Sequence, residues 1–273
     1  MSTLNCNGRL IDLSTPIVMG IVNCTPDSFY DGGKAIKVDD ALRQAERMIH
    51  EGAKIIDVGG YSSRPSGQHI SVGEETARIV PVIEAISQRF DVALSCDSFR
   101  ESVIRKALSH GANIVNDISA GKLDAEMLKT VGKANVPYIM IHMRGMPQTM
   151  KSLTDYDDLM IEINLYFSKR IAAARACGVN DIVIDPGFGF AKTREQNFEL
   201  LKNLNLLKAQ DVPILAGLSR KSMIYKTLDI DANDALNGTT ALHMVALQNG
   251  ASILRVHDVK EAVQAIKLFQ ALN

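Results

Sequence analysis

Arg255 and His257 stand two residues apart in GASILRVHD (250–258), so an extended backbone points both to one side. Ser95 and Asp97 in DVALSCD (91–97) share a side for the same reason. Other apolar runs also stop on polar groups: Asn23, Asp57, Asn116 with Asp117, His142, Asp185 and Ser219. Two kinds of chemistry suit these residue types. The acceptors and amide of Asp97, Asn116 and Asp185 match the edge of a flat, N–H-rich, guanidine-like heterocycle. Lys221 and Ser222, in GLSRKSMI (217–224), join Arg255 and His257 in a basic arc suited to an anion. Taken singly, each aspartate reads more readily as a cap or a structural bond than as a site group. Taken together, so many polar run ends favour one cavity. Arg220, next to Lys221, reads as a surface charge.

Elements must bring these ends together. GAKIIDVGG (52–60), GANIVNDIS (111–119), GVNDIVIDPG (178–187) and GASILRVHD share a layout of Gly, a short connection, and a mostly β-branched run ending polar. That is a helix end, a turn and a buried strand. PIVMGIVN (16–23), DVALSCD, VPYIMIH (136–142) and VPILAGLS (212–219) supply four more strands. Helical patterns lie between, as in VDDALRQAERMIHEG (38–52), SFRESVIRKALSHG (98–111) and TTALHMVALQNG (239–250). About eight strand–helix units predict an α/β fold, a closed (β/α)8 TIM barrel, as one domain over 1–273. A doubly wound open sheet is the alternative. In a barrel the strand C-termini form the active rim, and anions often sit after the seventh and eighth strands.

Composition narrows the function. The net charge is −1, with 46% apolar and 22% charged residues. No bulk attraction to nucleic acid or to a membrane surface follows. The N-terminus is too polar for a signal peptide, no apolar run approaches membrane-spanning length, and the four cysteines are scattered. A reduced, cytoplasmic setting is expected. GLSRKS is not a phosphate-binding P-loop, PGFGF (186–190) is not a dinucleotide fingerprint, and no zinc-type cluster exists. Mg²⁺ bridging a diphosphate needs only one or two protein oxygens, one of which Asn23 can supply. Cys24, beside it, reads as an inert filler or a reactive thiol.

NCTPDSFYDGG (23–33) and DVGGYSSRPSG (57–67) resemble the two loop signatures of the dihydropteroate synthase family, NxTPDSFxDGG and DxGGESTRPG. CDS (96–98), NDISAG (116–121), IDPGFGF (184–190), GLSRKS (217–222) and RVHD (255–258) follow in family order. The resemblance runs end to end. It implies condensation of a dihydropterin methyl diphosphate with 4-aminobenzoate, Mg²⁺ as cofactor, sulfonamides as inhibitors and a homodimer. The apolar faces of TTALHMVALQNG also suggest a subunit interface.

Residue by residue, the resemblance assigns the pterin to Asp97, Asn116, Ile118, Met140, Asp185, Gly217, Lys221 and Arg255. Asn23, Ser63, Arg64, Arg255 and His257 would hold diphosphate, with Asn23 also on the metal. Ser63, Pro65, Phe190, Lys221 and Ser222 would take 4-aminobenzoate. Catalysis would rest on Lys221, Asp97, Arg255 and His257. Thr25, Asp27, Phe29, Asp31, Tyr61 and Arg64 would sit on mobile loops that close the site. Tyr61 and Ser63 depart from the family's Glu and Thr. A methyltetrahydrofolate-dependent corrinoid methyltransferase and a non-catalytic pterin carrier are the alternatives.

Overall fold

The computed structural model describes residues 3–24, 38–62 and 69–272. The loop residues Thr25, Asp27, Phe29, Asp31, Ser63, Arg64 and Pro65 lie outside the described residues. A hairpin of β1 (Thr3–Cys6) and β2 (Arg9–Asp12) precedes the repeating units, which run β3 (Ile17–Asn23), α1 (Val38–His50), β4 (Ile55–Gly59), α2 (Val72–Arg89), β5 (Ala93–Asp97), α3 (Glu101–Ser109), β6 (Ile114–Asp117) and α4 (Met127–Ala134). They continue with β7 (Tyr138–Ile141), α5 (Leu159–Ala176), β8 (Ile182–Asp185), α6 (Arg194–Lys202), β9 (Leu215–Ala216), α7 (Ser222–Leu228), α8 (Leu236–Gln248), β10 (Ile253–Val256) and α9 (Val259–Leu272).

The eight strands β3 to β10 pair in parallel in the order β8-β7-β6-β5-β4-β3-β10-β9. A single parallel bridge, Ile184 to Ile214, joins the two ends of that order. The closed barrel replaces the open-sheet alternative. The helices start and stop where local chemistry says they should. Ser71 caps α2 by accepting from Glu74 N, and Thr193 with Gln196 makes a reciprocal capping box on α6. In α1, Ala41, Ala45 and Met48 form the stripe that faces the sheet.

Side chains alternate between two layers. One inward set, Met19, Ile55, Ala93, Ile114, Ile139, Val183, Leu215 and Ile253, packs into a single apolar cluster with Leu4, Cys6, Ile11 and Leu13. The N-terminal hairpin therefore stoppers the bottom of the barrel, a feature the alternating-unit pattern does not predict. Its cue is Asn7-Gly8 between short apolar-alternating segments. Both residues take positive φ, 55° and 91°, as a tight hairpin turn requires. Asn5 N donates to Asp181 Oδ2 at 2.7 Å and ties the hairpin to the start of β8.

Candidate active site

Two residues above the apolar floor, the same inward parity brings up Ile21, Asp57, Ser95, Asn116, Ile141, Asp185, Gly217 and Arg255. One step higher stand Asn23, Gly59, Asp97 and Ile118. The barrel thus changes from apolar to polar at a defined height. Arg255 organises this layer. Its Nε donates to Asp57 Oδ2 at 2.6 Å and its Nη2 to Asp97 Oδ2 at 2.7 Å. Burial works against its charge, but the Asp57 and Asp97 carboxylates outweigh that, and the guanidinium is held more firmly protonated than usual. Asn116 Nδ2 also donates to Asp57 Oδ2, at 3.1 Å. Asp57, a strand end to which the sequence alone assigns no role, is the hub of the network.

Among the described residues, three atoms of this floor are buried with no hydrogen-bond partner: Asp57 Oδ1, Ser95 Oγ and Asn116 Oδ1. A buried orphan costs about 1–3 kcal/mol, so three at one level are unusual in a core built for stability alone. Asp185 closes the arc. Its Oδ1 accepts from Gly187 N at 2.8 Å, and burial pushes its carboxyl up from the usual range while Lys221 opposes. A Cβ on Gly217 would come within 3.2 Å of Asp185 Oδ2, so the absence of a side chain there keeps that oxygen open. Burial likewise raises Asp97, against the pull of Arg255.

Lys221 crosses the rim. Its Nζ donates to Phe188 O and sits 4.7 Å from the centroid of the Phe190 ring. Burial pushes this amine down to about 8, with Asp185 opposing. Ser222, the first residue of α7, is exposed at the rim. His257 is exposed, and its Nδ1 lies 3.1 Å from Ser219 Oγ, while Ser219 Oγ also accepts from His257 N at 3.2 Å. An apolar wall of Phe99, Ile118, Ile141, Met143, Met150 and Ala191, with Tyr61 and Phe190 against it, rises beside the polar floor.

Three expectations change. Met140 alternates outward with Tyr138 into the layer between sheet and helices and is fully buried there; its neighbour Ile141 faces the pocket instead. Parity from Ile139 would have found this. His142 also turns away from the cavity: it is buried against Tyr166, with ring centroids 4.7 Å apart, and burial holds it well below the usual histidine range. Arg220 is no loose surface charge. It forks onto Asp258 at 2.7 and 2.8 Å and donates to Ala232 O and Asn233 O, fixing the connection that precedes α8. Cys24 is buried and its thiol is pushed up to about 12 by burial, which suits the filler reading over the reactive one.

Second-loop support was not legible as such. Glu75 is fully buried, accepts from Ser98 Oγ at 2.6 Å and pairs with Arg100 at 2.8 Å. Arg100 in turn donates to Ile70 O at 2.8 Å, at the far end of that loop. Tyr61 at its near end meets Phe99 edge-on at 5.1 Å and accepts from Gln148 Nε2 at 2.7 Å.

A (β/α)8 barrel with an acid–amide floor, a half-buried arginine above it and basic groups at the rim is the architecture of an enzyme that holds a nitrogenous ring with an anionic tail. The profile of the pterin binding enzyme family matches residues 19–257. The dihydropteroate synthase of Escherichia coli strain K12 is 43% identical over 270 residues, covering 98% of this chain and 95% of that protein. The crystal structure of Yersinia pestis dihydropteroate synthase with a sulfonamide drug complex superposes with a TM-score of 0.94 at 42% identity, covering 99% and 98% of the two chains. Xanthomonas albilineans dihydropteroate synthase with 4-aminobenzoic acid superposes with a TM-score of 0.93 at 39% identity, covering 99% and 98%. The chain belongs to the dihydropteroate synthase family of pterin binding enzymes. Among the described residues no helix is long and apolar enough to cross a membrane.

Proposed function

We infer that this chain catalyses the family's transfer in folate biosynthesis: 6-hydroxymethyl-7,8-dihydropterin diphosphate and 4-aminobenzoate give 7,8-dihydropteroate and diphosphate. The observation that carries this is the polar layer of Asp57, Ser95 and Asn116 that Arg255 joins at the C-terminal end of the strands. A pterin ring edge supplies N–H groups for the acceptors of such a layer. Asp185 and Asp97 extend it, Ile118 and Ile141 give the ring an apolar wall, and Gly217 leaves it room.

The reacting carbon is a CH₂ on a heteroaromatic ring that stabilises positive charge. Loss of diphosphate before attack by the weakly nucleophilic amine is therefore the easier order. Arg255 and His257 face the departing charge; the Asp97 carboxylate stabilises the cation left behind. The aminobenzoate nitrogen then bonds to the CH₂ carbon and releases its proton. Phe190, Lys221 and Ser222 would flank the aminobenzoate; the roles that the resemblance gives Ser63, Arg64 and Pro65 fall on residues outside the described ones. Sulfonamides would compete with the aminobenzoate.

Asn23 ends β3 at the rim, and its amide oxygen is a hard donor that fits Mg²⁺. The ion, when bound with diphosphate, would neutralise leaving-group charge. Among the described residues no cluster of three or more acidic, histidine or cysteine groups offers a complete protein cage, in keeping with a metal held largely by substrate. A homodimer rests on the family resemblance; Leu242, Met244 and Val245 of α8 are half-buried against the chain's own core.

The test is diphosphate release with both substrates present. Release that requires 4-aminobenzoate and yields dihydropteroate is expected. No release with both substrates, or methyl transfer from methyltetrahydrofolate, would overturn the reading.

A further inference from the structure

We propose that Lys192 is a positioning residue for the aminobenzoate pocket, clamping the 187–190 loop from behind while Lys221 grips it from the front. This rests on the function inferred above. Lys192 is nearly fully buried, far from any role the loop signatures would give it. Its Nζ donates to Gly187 O at 3.2 Å and Phe190 O at 3.1 Å and lies 3.0 Å from His142 Nδ1. As an ammonium it has a donor for each of the three; as a neutral amine it keeps a donor for each carbonyl and can accept from the imidazole. Lys221, on the other side, donates to Phe188 O and lies over the Phe190 ring. Two amines thus hold three carbonyls of one turn, those of Gly187, Phe188 and Phe190.

The turn needs such holding. Gly187, Gly189 and Ala191 all take positive φ, 71°, 82° and 48°. A Cβ on Gly187 would fall 2.1 Å from His142 O, so the loop lies tight against the end of β7. Asn197 supplies a third fastening, its Oδ1 accepting from Gly189 N at 2.6 Å. Local backbone preference does not by itself select this path, and Lys192 binds the two carbonyls that bracket it. The ring of Phe190 and the amine of Lys221 then take their places relative to the Asp185 floor. Burial of the Lys192 amine, pushed down to about 7 with Asp185 opposing, is a cost that surface lysines avoid.

Lys192→Met keeps the chain length and removes the donors. The expected result is a KM for 4-aminobenzoate raised ~10-fold or more, with kcat reduced less and the dissociation constant for dihydropterin diphosphate within twofold of wild type. His142→Phe keeps the ring in its packing and removes one of the three partners. It is expected to shift the same KM in the same direction, by a smaller factor, and serves if the methionine variant does not fold. An unchanged aminobenzoate KM in a folded variant overturns the proposal, as does equal weakening of both substrates, the mark of general loosening. Failure of the wild type to release diphosphate would instead sink the functional reading and leave these variants without a substrate to test.

Discussion

Arg255 on the last barrel strand meets Asp57 across an intervening strand, Nε to Oδ2 at 2.6 Å, and Asp57 is fully buried. The pairing fixes the guanidinium plane above the floor. Asp57→Asn keeps the shape and removes the charge. A lost charged hydrogen bond is worth about 1.5–3 kcal/mol, so kcat/KM for the pterin substrate is expected to fall ~10–100-fold. Steady-state kinetics with wild-type values would show that Arg255 needs no such partner.

Lys221→Ala should weaken pterin binding and turnover together, because one amine spans the Phe188 carbonyl, the Phe190 ring and the field of Asp185. The same amine sets a pH limb. It is pushed down to about 8, so in the free enzyme its charge disappears as pH rises through that value. Wild-type kcat/KM should decline across pH 8, and the Lys221→Ala profile should lack that limb. An identical alkaline profile in both proteins would contradict the assignment.

Stability should also respond to pH. Lys192 is held at about 7 in the fold against an ordinary 10.5, so between those values the unfolded chain binds more protons and stability rises with pH. One such group adds up to about 1.4 kcal/mol per pH unit. The groups facing it are His142, Asp185, Lys221 and Arg144; His142, held low, is neutral in both states over this window, and Lys221 adds to the slope with the same sign. Denaturant midpoints from pH 7.5 to 9.5 should climb more steeply in wild type than in Lys192→Met. Parallel slopes would mean the amine stays charged.

The hairpin stopper makes a separable prediction. Leu4 is 1% exposed and packs on the lowest inward layer, remote from the polar floor. Leu4→Ala should cost about 2–5 kcal/mol of stability with KM values unchanged. A changed KM at full folding would tie the stopper to the site.

Tyr61 stands where the family signature has Glu, and it joins three loops through Phe99, Gln148 and, 5.3 Å from its ring, the guanidinium of Arg100. Ring contacts of this kind are worth about 0.5–1.5 kcal/mol. Tyr61→Ala should raise the aminobenzoate KM ~2–10-fold, with Tyr61→Phe nearer wild type. No change in the alanine variant would make the tyrosine a bystander.

Much of this design was legible because strand period and run-end polarity are local signals. Asp97, Asn116, Asp185 and Arg255 do fall in one inward layer system, as their parity implies. His142 departs because a strand points alternate residues to opposite faces and a run-end rule ignores that; Met140, carried over from the resemblance, faces outward by the same parity. Lys192 and Glu75 were invisible for another reason: a buried charge is recognised by its partners, which come from distant parts of the chain. Arg220 is the same case, its fork onto Asp258 spanning 38 positions. The Asn7-Gly8 turn is a readable hairpin signal, but it lies outside the alternating strand–helix pattern.

The first and last parallel strands lie side by side, with Ile17 opposite Ile253 and Arg255 opposite Met19. Those partners lie far apart in the chain, so the ribosome delivers them at different times. Until β10 slots in beside β3, the wall has a gap and the guanidinium that orders the floor is missing. A chain cut short before β10 therefore lacks that guanidinium and presents an open strand edge.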